Sequence, residues 1–194
     1  ISDTSWEGYT EPPGWVIDGY STMMGEVLDQ YRAEGLTPPT VVAAQIGVGA
    51  FAAAVARAFA GAEGTRLVGV EPTDADCVAA SIEHGEVTTI PGPQLSMMAG
   101  LNCGTPSLIA WPDVSAGYDS FVTITDDQVA DAMRLLAADD IVSGESGAAG
   151  LGGLLAHRDV LGINDSDSVL VVSTEGATDL ANYRSIVGAE TSPA

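Results

Sequence analysis

The chain has 194 residues, 46% hydrophobic and 17% charged, which is enough for one globular domain with a core of its own. Its 27 acidic residues against 6 basic ones give a formal net charge of −21, which repels nucleic acid and anionic membrane surfaces. No apolar run reaches the ~18 residues of a membrane helix, and Ile1-Ser2-Asp3-Thr4 has neither the basic nor the apolar region of a signal peptide. A cytoplasmic setting is the default expectation.

In chain order, the start reads like the end of a strand with no element leading into it, so the chain is expected to begin inside a domain. Residues 14–34 then place Tyr20, Met23, Met24, Val27 and Tyr31 on one stripe, opposite Glu26, Asp29, Gln30 and Glu34. That pattern predicts an amphipathic helix ending at Gly35, its stripe turned to the core. Short β-branched runs at 40–44, 66–71, 121–125 and 168–173 predict strands. Helices are expected at 49–60, 74–84, 126–138, 145–158 and 177–187, with Asp126-Asp127 and Thr178-Asp179 as caps for two of them. Residues 91–106, opened by Pro-Gly-Pro, read as an irregular loop of the kind that carries sites. The alternation predicts a single α/β domain over residues 1–194, with three layers: a largely parallel sheet with flanking helices.

The six cations are all arginines, and the chain contains no lysine. Cys77 and Cys103 have no CxxC spacing and no histidine cluster beside them. That speaks against a zinc site and leaves them as free thiols or as a pair. His84 and His157 are isolated, each near a helix end, and read as solvated or terminal residues.

The turn after the first strand carries the strongest chemical signal. Gly47-Val48-Gly49-Ala50-Phe51-Ala52 fits G-x-G-x-x-A, and Glu71 lies 24 residues beyond Gly47. The spacing suits a dinucleotide, with Glu71 on a ribose hydroxyl. Backbone N–H groups at a helix start bind any phosphate, however, so the pattern alone does not choose the anion. A tight turn without a ligand is the third reading.

Four further segments separate these readings: Asp3-Thr4-Ser5-Trp6-Glu7-Gly8-Tyr9, LVGVEP at 67–72, SGESGAAGLGG at 143–153 and VVSTEG at 171–176. With EPTDADC and MAGLNCG, they resemble the C-terminal half of the diaminopropionate ammonia-lyases, members of the fold type II pyridoxal phosphate enzymes. The resemblance runs through nearly the whole chain. It implies a fold type II α/β domain, pyridoxal 5′-phosphate as cofactor, an amino-acid substrate and a homodimer, with no role for nucleic acid or membrane. The implied reaction is α,β-elimination of 2,3-diaminopropionate to pyruvate and ammonia.

Residue by residue, the resemblance places the cofactor phosphate on Gly47, Val48, Gly49 and Ala50. It places the ring nitrogen on Thr174, or failing that Ser173, where a hydroxyl holds the nitrogen without protonating it. Asp3 matches a family aspartate that acts as a base near the substrate α-carbon, which requires burial to raise its pKa. Its plain alternative is a turn aspartate, with Trp6 and Tyr9 packed close by. Glu145 and Ser146 are expected near the cofactor or as simple caps. Asp74, Asp76 and the 96–103 loop are expected at the substrate entrance.

In that family a lysine carries the cofactor covalently, and no lysine exists here to do so. The expectation is that this chain is one part of a longer lyase and is inactive alone. The alternatives are an NAD-binding oxidoreductase domain using Glu71, a related serine or threonine dehydratase, and a non-catalytic partner domain.

Overall fold

Val41–Gln45 form β1, a strand buried along its whole length, and the other elements pack around it. The computed structural model describes residues 1–188. Before β1 comes α1 (Glu11–Glu34); after it come α2 (Ala50–Phe59), β2 (Arg66–Pro72), α3 (Cys77–His84) and α4 (Trp111–Gly117). The remainder is β3 (Ser120–Ile124), α5 (Asp126–Ala138), α6 (Glu145–Ala156), β4 (Val169–Val171) and α7 (Leu180–Val187).

All strand pairs are parallel, in the order β3-β2-β1-β4. Alternate side chains of β1 point to opposite faces, so each face has its own core. Val42 and Ala44 join Phe51, Val55, Ile17 and Met24 on the α1/α2 side. Val41 and Ala43 join Val70, Met133, Ala149 and Leu154 on the α5/α6 side. The sheet with helices on both faces is the three-layer α/β arrangement expected.

The strands and most helices fall within a few residues of expectation, and the differences have physical causes. The first helix begins at Glu11 rather than at residue 14, because its prolines sit in the first turn, where no N–H partner is needed. Thr125 rather than Asp126-Asp127 caps α5: its hydroxyl accepts from Gln128 N, while Gln128 Oε1 accepts from Thr125 N at 2.9 Å. Asp126 instead accepts from Ser96 Oγ at 2.6 Å and Met97 N at 3.1 Å, fastening the 91–106 loop. Asp179 caps α7 as expected. The first residues do not enter the sheet; Trp6 and Tyr9 close a bridged turn and stack on each other at 4.4 Å.

Glu71 requires the largest correction. Its carboxylate is 1% exposed and turns beneath the end of β2 to accept from Val78 N (2.9 Å) and Ala79 N (2.7 Å) in the first turn of α3. It is a buried cap, not a ribose-binding acid. Burial outweighs those two hydrogen bonds and pushes the carboxyl from 4.5 up to about 8.

Helix α6 lies unusually close to the sheet. A Cβ added at Gly153 would stand 2.5 Å from Val70 Cγ2, so only a glycine lets the two backbones approach this far. Gly153→Ala is therefore expected to cost about 1–3 kcal/mol by overpacking. Gly25→Ala, inside α1 with nothing within 4 Å of the new methyl, is expected to gain about 0.5–1 kcal/mol. Urea denaturation of the two variants checks the contrast. For Glu71, the folded chain holds a proton that the unfolded chain has already released above about 4.5, so this residue's contribution to stability falls as pH rises toward about 8. Wild type should lose stability relative to Glu71→Gln over that interval; parallel pH profiles would contradict the buried, proton-holding carboxyl.

Candidate functional site

From β1 the chain moves outward to β2 and then β3, whereas β4 returns to the other side of β1. The loops leaving β1 and β4 therefore part in opposite directions, and a crevice opens beyond their C-terminal ends, where ligands of open parallel sheets bind. A cavity of about 250 Å³ occupies that place, lined by Gly47–Ala52 after β1 and by Thr174 and Glu175 after β4.

Its floor is the start of α2. The first intrahelical bond runs from Ala53 N to Gly49 O at 2.8 Å, leaving the N–H groups of Gly49, Ala50, Phe51 and Ala52 without intrahelical acceptors. Among the described residues no side chain caps them, and Gly49 holds φ at +101°, a conformation that a side chain resists. The second glycine-rich turn, at the start of α6, differs. There Ser146 N already donates to Glu175 Oε2 at 2.9 Å, so the protein's own carboxylate occupies the anion position. Of the two helix starts, α2 is the one left open to an external anion. No arginine is among the described residues that line the cavity, so an anion there is met by neutral dipoles, the backbone N–H groups foremost.

Thr174 and Ser173 part company in the structure. Thr174 lines the cavity and accepts from Gln45 Nε2 at 2.7 Å. The Ser173 hydroxyl pairs with Ser143 Oγ at 2.8 Å instead, and Ser173 is not among the lining residues. Gln45, the last residue of β1, was not singled out from the sequence. Its signal was a polar residue ending an otherwise apolar strand.

Asp3 reaches the rim from the N-terminal segment and is exposed. That segment is fastened by two serines more than a hundred residues apart: Ser5 N and Ser5 Oγ each lie 2.9 Å from Ser107 Oγ, which donates to Asp3 O at 3.0 Å. Ser107 N in turn donates to Val48 O at 2.8 Å, tying Asp3 to the glycine turn. Glu145 is turned away toward Asn182 of α7, whereas Ser146, one residue on, lines the cavity and accepts from Gly100 N at 3.1 Å. Gly100 and Leu101 bring the 96–103 loop to the cavity as expected. Asp74 lies in a separate hollow with Asp126 and Asp127. Tyr20, read from the sequence as core, also contributes to the wall.

Both cysteines are free and lie behind the glycine turn. Cys77 Sγ is 3.7 Å from Gly47 O, and a Cβ at Gly47 would come within 3.1 Å of Cys103 Sγ. Burial pushes the Cys103 thiol up to about 11 and the Cys77 thiol higher still, so neither is ionised near neutrality.

A family model described as pyridoxal-phosphate dependent enzyme matches residues 5–175. The chain is 38% identical over 204 aligned residues to the diaminopropionate ammonia-lyase of Escherichia coli K12, covering 96% of this chain and 51% of that protein. The Escherichia coli holoenzyme structure superposes with a TM-score of 0.85 and 35% identity, over 96% of this chain and 50% of the other. The T.th. threonine deaminase superposes with a TM-score of 0.73 and 25% identity, over 91% of this chain and 58% of the other. The chain thus spans about half the length of the curated relatives it matches. With the match extending over most of its length, the chain belongs to the pyridoxal-phosphate-dependent enzyme family.

Proposed function

We propose that this chain forms the cofactor-holding part of an ammonia-lyase that converts 2,3-diaminopropionate to pyruvate and ammonia by α,β-elimination, acting as a cytoplasmic homodimer. The observation that carries this reading is the pairing, across one cavity, of the uncapped start of α2 with the Thr174 hydroxyl. A phosphate needs the first and a pyridine nitrogen the second, and pyridoxal phosphate carries both. The similarity to diaminopropionate ammonia-lyases along 96% of the chain supports the substrate. The dinucleotide reading loses its support, since Glu71 is buried beneath α3.

In this reading the turn Gly47, Val48, Gly49 and Ala50 cradles the phosphate, with the open N–H groups of Gly49, Ala50, Phe51 and Ala52 as its backbone donors, and Thr174 fixes the ring by its nitrogen. Bound pyridoxal phosphate supplies an electron sink for the substrate α-carbon. Asp3 takes the α-proton, held over the cavity by the Ser5–Ser107 pair. Asp3 itself stands exposed at the rim of the cavity.

The chain has no lysine to carry the cofactor covalently. Purified alone, it is expected to release no pyruvate from 2,3-diaminopropionate, whereas the enzyme containing it should release pyruvate and ammonia. Turnover of serine or threonine but not diaminopropionate by that enzyme would instead favour a dehydratase. Within the working enzyme, Asp3→Asn should lower kcat by about 10²–10⁴-fold while pyridoxal phosphate affinity is unchanged. An unaffected kcat would remove Asp3 from the chemistry.

A further inference from the structure

Gln45 sits where β1 ends, 3% exposed, and its amide bridges the mouth of the crevice to the segment after β4. The regular β1–β4 ladder stops at Ala43 and Val171. Beyond it the Gln45 side chain takes over, with Nε2 donating to Val172 O at 2.9 Å and to Thr174 Oγ1 at 2.7 Å. The orientation of the amide follows from its partners: a carbonyl oxygen can only accept, so the NH₂ and not the oxygen must face Val172. Both N–H protons are then committed. The other end of the amide, Oε1, is buried without a partner among the described residues. Leaving such an atom unpaired forfeits its hydration with nothing in return, so the arrangement is not one that stability favours.

From this geometry, and resting on the reading of Thr174 as the ring-nitrogen partner, we propose that Gln45 is a positioning residue that sets the direction of the Thr174 hydroxyl proton. A hydroxyl has one proton and two lone pairs. With Gln45 donating to one lone pair, and no acceptor for the Thr174 proton among the described residues, that proton is free to point into the cavity. Thr174 then donates to the ring nitrogen, which must offer a lone pair and remain unprotonated. Glu175, a carboxylate that also lines the cavity, does not compete for this role. Its Oε2 accepts from Ser146 N and its Oε1 from Thr178 Oγ1 at 3.2 Å. An unprotonated ring is the weaker electron sink, which suits prompt loss of a β-substituent over a long-lived carbanion.

The test is the ¹⁵N resonance of the ring nitrogen in the holoenzyme containing this chain, loaded with pyridoxal phosphate ¹⁵N-labelled in the ring. Wild type should resonate in the range of an unprotonated, hydrogen-bonded pyridine. Gln45→Glu replaces the donor with an acceptor, so Thr174 should turn its proton to the carboxylate and the ring resonance should move toward pyridinium. Gln45→Met removes the donor, frees Thr174 to donate to Val172 O, and should move the resonance toward a pyridine without a hydrogen bond. It also decides the matter if the Glu variant does not fold. Thr174→Val separates the two layers of the argument. If it moves the resonance while folded Gln45 variants do not, the role of Gln45 is overturned and the cofactor reading stands. If Thr174→Val leaves the resonance unmoved, Thr174 is not the ring partner, and both fail.

Discussion

In the proposed reading the site answers to one electrostatic constraint: a dianionic phosphate is to be held by a chain whose net charge is −21, in a cavity whose described lining residues include no cation. Uncapped backbone N–H groups are the largest set of donors in its lining. The start of α2 presents four of them, on buried residues and with the helix dipole behind. Several features of the fold follow from keeping that helix start open. Gly49 adopts a positive φ where a capping side chain would otherwise stand. Ser107 grips the turn through Val48 O without obstructing its N–H groups. The competing helix start, at α6, is closed by Glu175.

The same closeness that forms the cavity shapes the α6 side of the sheet. Small residues let α6 lie directly on β1 and β2, and its first turn meets the segment after β4 where that segment leaves the sheet. Polar groups at this junction are tied to each other: Ser143 to Ser173, Ser146 to Gly100 and Glu175, and Gln45 to Thr174. Of the two hydroxyls after β4, Thr174 is the one that lines the cavity. The division of labour between neighbouring residues, Thr174 against Ser173 and Ser146 against Glu145, shows in their partners: Ser173 pairs with Ser143 and Glu145 with Asn182, away from the cavity.

That explains which parts were legible in the sequence. Periodicity located the four strands and the long helices, because burial on one or both faces writes itself into the order of apolar residues. The glycine turn was legible because few other residue types permit its geometry. Features that depend on contacts between distant segments were not. Nothing near Ser5 announces Ser107, and nothing near Glu71 shows that its carboxylate turns down to α3 rather than out to a ribose. The prolines at the starts of α1 and α4 lie in the first helical turn, which needs no donors from them, and neither start was located from the sequence. Gln45 could have been found, since one polar residue at the end of a fully apolar strand calls for a partner.

The most direct test of the account is a titration of pyridoxal phosphate into ¹⁵N-labelled protein, followed through its backbone amides. The account predicts that the Gly49, Ala50, Phe51 and Ala52 amide resonances shift together and by more than that of Ser146, whose N–H is held by Glu175. Shifts at Ser146 and Gly147 with none at the start of α2 would contradict it, moving the phosphate to the other glycine turn.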